Sequence, residues 1–120
     1  MKKMRKILVL GGSSDIGLEV TKKLLDLGWK VDVHFFKNDK KFIKIKKKNL
    51  SVIQLDFKKL NQHNCKNIIL KKFNNNYDAV VNLIGYVDNY SYENTDLKNI
   101  IQSISINAIY PILIERNIVK

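Results

Sequence analysis

Short apolar runs alternate along this chain with longer stretches in which apolar residues recur every three or four positions. Residues 7–10 (ILVL) form an unbroken apolar run, which suits a parallel strand covered on both faces. Gly11-Gly12-Ser13-Ser14-Asp15-Ile16-Gly17 follows at once. Val20, Leu24 and Leu27 then recur at helical spacing, with Glu19, Lys22, Lys23 and Asp26 on the other face. Gly28 supplies the helix stop. Residues 31–36 (VDVHFF) read as a second strand, with His34 a strand residue rather than a ligand. Residues 39–48 read as a short basic helix turning Phe42 and Ile45 to the sheet, and residues 50–57 (LSVIQLDF) as a third strand. A helical pattern through Ile68, Ile69 and Phe73 spans 61–73 and breaks at Asn74-Asn75-Asn76. Residues 77–85 (YDAVVNLIG) are a fourth strand, and 86–95 a polar loop bearing tyrosines. From 96 to 120 a long helical pattern runs through Ile100, Ile101, Ile104, Ala108 and Ile112, with Pro111 expected to kink it or cost a hydrogen bond.

Strands alternating with helices imply an α/β architecture with parallel pairing through right-handed crossovers. A chain of 120 residues makes a single domain over 1–120, with room for a core. The charge of +11 raises the possibility of nucleic-acid binding. The basic residues, however, are nearly all lysine, in a chain also rich in asparagine and isoleucine. That points to nucleotide-composition bias more than to a phosphate grip, which usually recruits arginine. Only 40–48 (KKFIKIKKK) is densely basic, and charge alone speaks to solubility and weak association. The one cysteine, Cys65, has no internal disulfide partner, so a reducing cytoplasm is expected. The opening MKKMRKILVLGG has the charge of a secretory leader but too short an apolar run. No stretch is expected to span a membrane.

The candidate chemistry sits in the glycine-rich turn. Glycines let the chain turn sharply and let a ligand approach backbone N–H groups. At a helix N-terminus, those unpaired donors and the macrodipole favour an anion such as a pyrophosphate. The loop is therefore expected to bind a nucleotide. It is not of the Walker type, because no Gly-Lys-Ser/Thr closes it. Ser13 and Ser14 suit donation to phosphate oxygens and equally suit an ordinary turn. Asp15 is expected to cap the helix by accepting the N–H of Gly17 or Leu18; the alternative is a carboxylate that repels a phosphate.

The spacing Gly11-x-x-x-Asp15-x-Gly17 resembles the T-G-x-x-x-G-x-G loop of the short-chain dehydrogenase/reductase family, with Leu10 in place of the threonine and Asp15 in place of the middle glycine. Asn82-Leu83-Ile84-Gly85 resembles the N-N-A-G that ends the family's fourth strand, matching at Asn82 and Gly85. Asn107, in SINAIYP, matches the helix asparagine that follows. The resemblance implies a Rossmann-type doubly wound parallel sheet, four strands in the order 3-2-1-4 with flanking helices. It also implies a dinucleotide held by Gly11, Ser13, Ser14, Asp15, Ile16 and Gly17. Asp56 and Phe57 would lie against its adenine, and Asn82 and Gly85 near the cofactor ribose. Near Phe35 the family places an acid for a free 2′-hydroxyl. None stands here, and Lys37 and Asn38 follow, which tilts the choice toward NADP(H) over NAD(H). Asn107 would help hold a water for proton relay; otherwise it is simply a polar helix position.

The resemblance covers the front half of the family pattern. The family's catalytic serine and Tyr-x-x-x-Lys pair lie further on, and Tyr77, Tyr86, Tyr90, Tyr92 and Tyr110 have no lysine four residues later. The lysine matters because a free tyrosine is a poor base near neutral pH. The expectation is thus an incomplete, cofactor-binding portion of an oxidoreductase for a carbonyl or alcohol, of the 3-oxoacyl or simple-ketone type, inactive alone. Its fourth strand would be an exposed edge, and its long helix would pair with a second copy or a complementary chain. The alternatives are a catalytically silent dinucleotide-binding module and a lysine-rich nucleic-acid binder.

Overall fold

Residues apolar on both faces of a strand need a packed layer on each side, and that requirement orders the whole chain. The computed structural model describes residues 3–45, 48–73, 76–87 and 92–119. Lys46 and Lys47 of the basic run, Asn74 and Asn75 of the helix break, Tyr90 and Lys120 lie outside the described residues. Strand β1 (Lys6–Leu10) is central. It pairs in parallel with β2 (Lys30–Phe35), Ile7 opposite Val31, and with β4 (Ala79–Asn82), Leu8 opposite Val80. Strand β3 (Leu50–Gln54) joins the far side of β2, giving the order β3-β2-β1-β4. The doubly wound sheet expected from the sequence is present.

Alternation along β1 sends Ile7 and Val9 to one face and Leu8 and Leu10 to the other. On the first face they join Val31, Val33, Phe35 and Phe42, covered by Leu18, Leu24 and Leu25 of α1 (Asp15–Asp26). On the second they meet Ile69 of α3 (Cys65–Lys72), Phe73, and Tyr110, Ile114 and Ile118 of α5 (Tyr110–Ile118). Each fully buried aliphatic side chain stabilises the fold by about 1.5–3 kcal/mol.

Several boundaries differ from the sequence reading, each for a local reason. The buried stripe of α1 runs through Gly17 and Thr21, so Leu27 is the C-cap and 61% exposed. Gly28 then takes φ +85, as a helix stop should. The helix α2 is only Lys40–Ile43, with Phe42 buried. Strand β3 ends early because Asp56 Oδ1 accepts the Lys58 N–H at 3.0 Å and caps a 3₁₀ turn, Phe57–Lys59. Helix α3 starts at Cys65 rather than 61: Asn61 Oδ1 accepts from the N–H groups of His63 (2.8 Å) and Asn64 (2.9 Å), a turn that competes with helix.

The last helix holds the largest difference. It is α4 (Leu97–Ile104), one π turn (Ser105–Ile109) and α5, with Pro111 near the start of α5. Pro111 stands two residues past the π turn, so the hydrogen bond that its missing N–H costs falls where the helical ladder already shifts register. The periodic residues Ile100, Ile101, Ile104 and Ile112 face outward, 46–60% exposed, and no α4 residue is buried. The core is met instead by Ser105, Ile106, Tyr110, Pro111, Ile114 and Ile118. The rod Leu97–Ile118 is, by length and composition, apolar enough to cross a membrane, which corrects the expectation that no stretch is. In this fold its α5 half is packed on the sheet.

At the amino ends of the strands a polar cluster closes the sheet. The Tyr77 hydroxyl donates to Asp32 Oδ2 at 2.5 Å, and Lys6 Nζ lies 3.5 Å from the same oxygen. Asp32 and Tyr77 are both buried. The opposite, carboxyl end is open, and the candidate site lies there.

Candidate functional site at the carboxyl end of the sheet

The loop between β1 and α1 is shaped by two close approaches. Gly11 has φ +70, and a Cβ there would come within 3.0 Å of the Ile84 backbone nitrogen. A Cβ on Gly17 would lie 2.6 Å from three backbone atoms of Gly12. Neither position admits another residue without moving the backbone. The loop therefore lies flat against the chain leaving β4 on one side and against the first turn of α1 on the other.

Its amides are divided between inward and outward duties. Gly11 N–H donates to His34 Nδ1 at 3.0 Å, and Gly12 N–H to the His34 carbonyl at 2.9 Å. Ser14 is the helix cap: its Oγ accepts from Gly17 N–H at 3.0 Å, and its carbonyl from Leu18 N–H at 2.9 Å. This corrects the assignment of the cap to Asp15, which stands one residue too late for it. Asp15 points to solvent and pairs with Lys41 Nζ at 2.7 Å. The hydrogen bond from Lys41, then its charge, holds this carboxyl below the ordinary aspartate range. Asp15 and Ile16, as the first helical residues, have N–H groups that helix geometry leaves without carbonyl partners.

Gly11, Ser13 and Ser14 line a cleft of about 230 Å³ with Phe36, Leu83, Ile84 and Gly85. A second cleft of about 190 Å³ lies between Phe36, Lys37, Asp56, Lys58, Tyr86 and Ile106. Phe36 belongs to both. The clefts thus bring Gly11, Ser13, Ser14, Lys37, Asp56 and Gly85 to one end of the sheet. Three sequence-predicted residues present less than expected. Phe57 is fully buried with its ring stacked on His34 at 4.7 Å, so its side chain is core and does not meet an adenine. Asn82 Oδ1 accepts the Ile84 N–H at 3.0 Å and shapes the turn after β4. Asn107 lies in the π turn, its Oδ1 accepting from Tyr86 N–H (2.7 Å) and its Nδ2 donating to Tyr86 O (2.9 Å). Its side chain is a clamp on the loop after β4.

No protein-family model and no curated protein matches the chain by sequence. Its shape does match solved structures. The NADPH-bound carbonyl reductase from chicken fatty liver superposes with a TM-score of 0.73 at 22% identity, over 98% of this chain and 48% of that one. A doubly substituted Serratia marcescens short-chain dehydrogenase/reductase gives 0.72 at 17%, over 93% and 48%. YwfH, an NADPH-dependent reductase involved in bacilysin biosynthesis, gives 0.71 at 18%, over 95% and 48%. The fold is that of the short-chain dehydrogenases and reductases. The chain spans about half the length of those structures.

Sequence reasoning missed two residues of this short-chain dehydrogenase fold. His34 is the strand residue expected, within β2; what escaped is that it is also a junction. With Nε2 2.8 Å from the Leu55 carbonyl, the proton belongs on Nε2, leaving Nδ1 to accept from Gly11. Burial lowers its pKa from 6.5 to about 4, so the ring is neutral near neutral pH. A polar residue inside an apolar strand was the available signal. The Asp15 partner, Lys41, came from a run of lysines that nothing local distinguishes.

Proposed function

We propose that this chain is the dinucleotide-binding portion of a short-chain dehydrogenase/reductase and takes NADP(H) in preference to NAD(H). The observation that carries this is the glycine loop. Gly11 and Gly17 are packed so closely against backbone that only hydrogen fits, and the loop opens a cleft to Gly85 at the carboxyl end of a parallel sheet, where ligands of such sheets bind. The pyrophosphate would lie at the outward amides of Asp15 and Ile16 and at the Ser13 hydroxyl, with Lys41 offsetting the Asp15 charge. Adenine and its ribose would occupy the second cleft, where Lys37 and Lys58 suit a 2′-phosphate and Asp56 lies alongside. When bound, the cofactor supplies the hydride exchanged with a carbonyl or alcohol; the 3-oxoacyl and simple-ketone classes fit the resemblance. None of the tyrosines has a lysine four residues on, so these residues alone are read as binding without turnover.

We also propose a cytoplasmic setting, which a single cysteine with no internal disulfide partner fits. The exposed isoleucine face of α4 and the β4 edge are read as the contact for a second copy or a complementary chain.

Titration of the purified chain with NADPH and with NADH, following nicotinamide fluorescence, tests the proposal. The expected result is saturable binding, tighter for NADPH, that is lost in Gly17→Val. A folded chain that binds neither nucleotide overturns it.

A further inference from the structure

We propose that His34 is the positioning residue of the dinucleotide site: its ring holds the Gly11 amide inward, and so fixes the loop in the form that turns its remaining amides to a pyrophosphate. This rests on the function proposed above. The ring spans three separate exits from the sheet. It stands near the carboxyl end of β2, takes the Gly11 N–H from the loop after β1 and donates to Leu55 O just beyond β3. The His34 carbonyl takes the next amide, Gly12. With Gly17 and Leu18 satisfied by Ser14, four loop amides are held internally. Those of Asp15 and Ile16 are left to face a ligand.

Imidazole is suited to this task because it carries an acceptor and a donor on one rigid ring. An aliphatic side chain here would leave a part-buried N–H unpaired on a glycine at φ +70, a residue with little intrinsic preference to stay in that conformation. The surroundings keep the acceptor available. Phe57 stacks on the ring at 4.7 Å, while Phe36 and Phe73 meet it edge-on at 5.1 and 6.1 Å. Among the described residues its ring contacts are aromatic, and its hydrogen-bond partners are backbone groups. An imidazolium could not accept from Gly11; burial opposes that form.

The experiment uses the full chain, with NADPH titrated into wild type, His34→Asn and His34→Phe at a temperature where far-UV circular dichroism shows all three folded. Asparagine keeps an acceptor in the Nδ1 position but does not reach Leu55. It should hold NADPH affinity within about threefold while lowering the melting temperature. Phenylalanine keeps the ring and loses the acceptor, so affinity should fall about tenfold. Equal losses for both variants, or a folded His34→Phe that binds like wild type, would overturn the proposal. Should either variant fail to fold, the ¹⁵N spectrum of the wild-type imidazole decides. A proton on Nε2 and a bare Nδ1 are expected, and the opposite tautomer overturns it. A folded wild type that does not bind NADPH removes the functional reading, and this inference with it.

Discussion

Asp32 and His34 lie two positions apart on one strand, both buried on the same face, yet they serve opposite ends of the sheet in opposite ways. Asp32 bonds side chains: the Tyr77 hydroxyl at 2.5 Å and the Lys6 ammonium at 3.5 Å. His34 bonds backbone: the Gly11 amide and the Leu55 carbonyl. The first arrangement ties neighbouring strands together at the amino end of the sheet. The second shapes a loop whose remaining donors face outward. A buried polar group thus reinforces the fold or presents a site according to what it bonds, and its burial alone does not say which.

Removing the carboxylate at the closed end should cost most. Asp32→Ala leaves Lys6 and Tyr77 without their shared acceptor and should lower stability by about 4 kcal/mol in urea unfolding. NADPH affinity of the remaining folded protein should be unchanged. Acid should act next, through the open end. Above pH 6.5 His34 is neutral in both the folded and unfolded chain. Between 6.5 and about 4 only the unfolded chain binds the proton, so stability falls as pH drops through that window. The full loss is about 3 kcal/mol. The difference between wild type and His34→Phe, followed from pH 7.5 to 4.5, isolates it; a constant difference would sink the assignment. Tyr77→Phe, which deletes one bond to a buried carboxylate, should cost about 2 kcal/mol and leave binding untouched. Ser14→Ala removes the α1 cap for about 1 kcal/mol, but should weaken NADPH more than that loss suggests, because the cap sits in the loop itself. Should Tyr77→Phe impair binding as much as Ser14→Ala does, the two ends are not separable.

The sheet was legible because its signal is local and redundant. The run ILVL, the glycines after it and the repeat of strand and helix patterns lead to one topology. The glycine loop was legible too, since only glycine tolerates the contacts at Gly11 and Gly17. What escaped depended on partners far along the chain. His34 gains its role from Gly11 and Leu55, and Asn107 from Tyr86, 21 residues away. The cap was misplaced by one residue because Ser14 and Asp15 are both good caps, and only backbone geometry chooses between them. The isoleucine period in the last helix was real, but it marks the solvent side of α4.

That reversal follows from the π turn. An α-helix advances about 100° per residue, so one residue more than an α-turn needs acts as a phase shift between the segments on either side. Upstream, Ile100, Ile101 and Ile104 keep one azimuth; downstream, Tyr110, Ile114 and Ile118 keep another, against the sheet. Deleting a single residue from Ser105–Ile109 would bring both segments onto one continuous spiral. It would turn Tyr110 and Ile114 out of their packing as surely as if the whole of α5 had been rewritten.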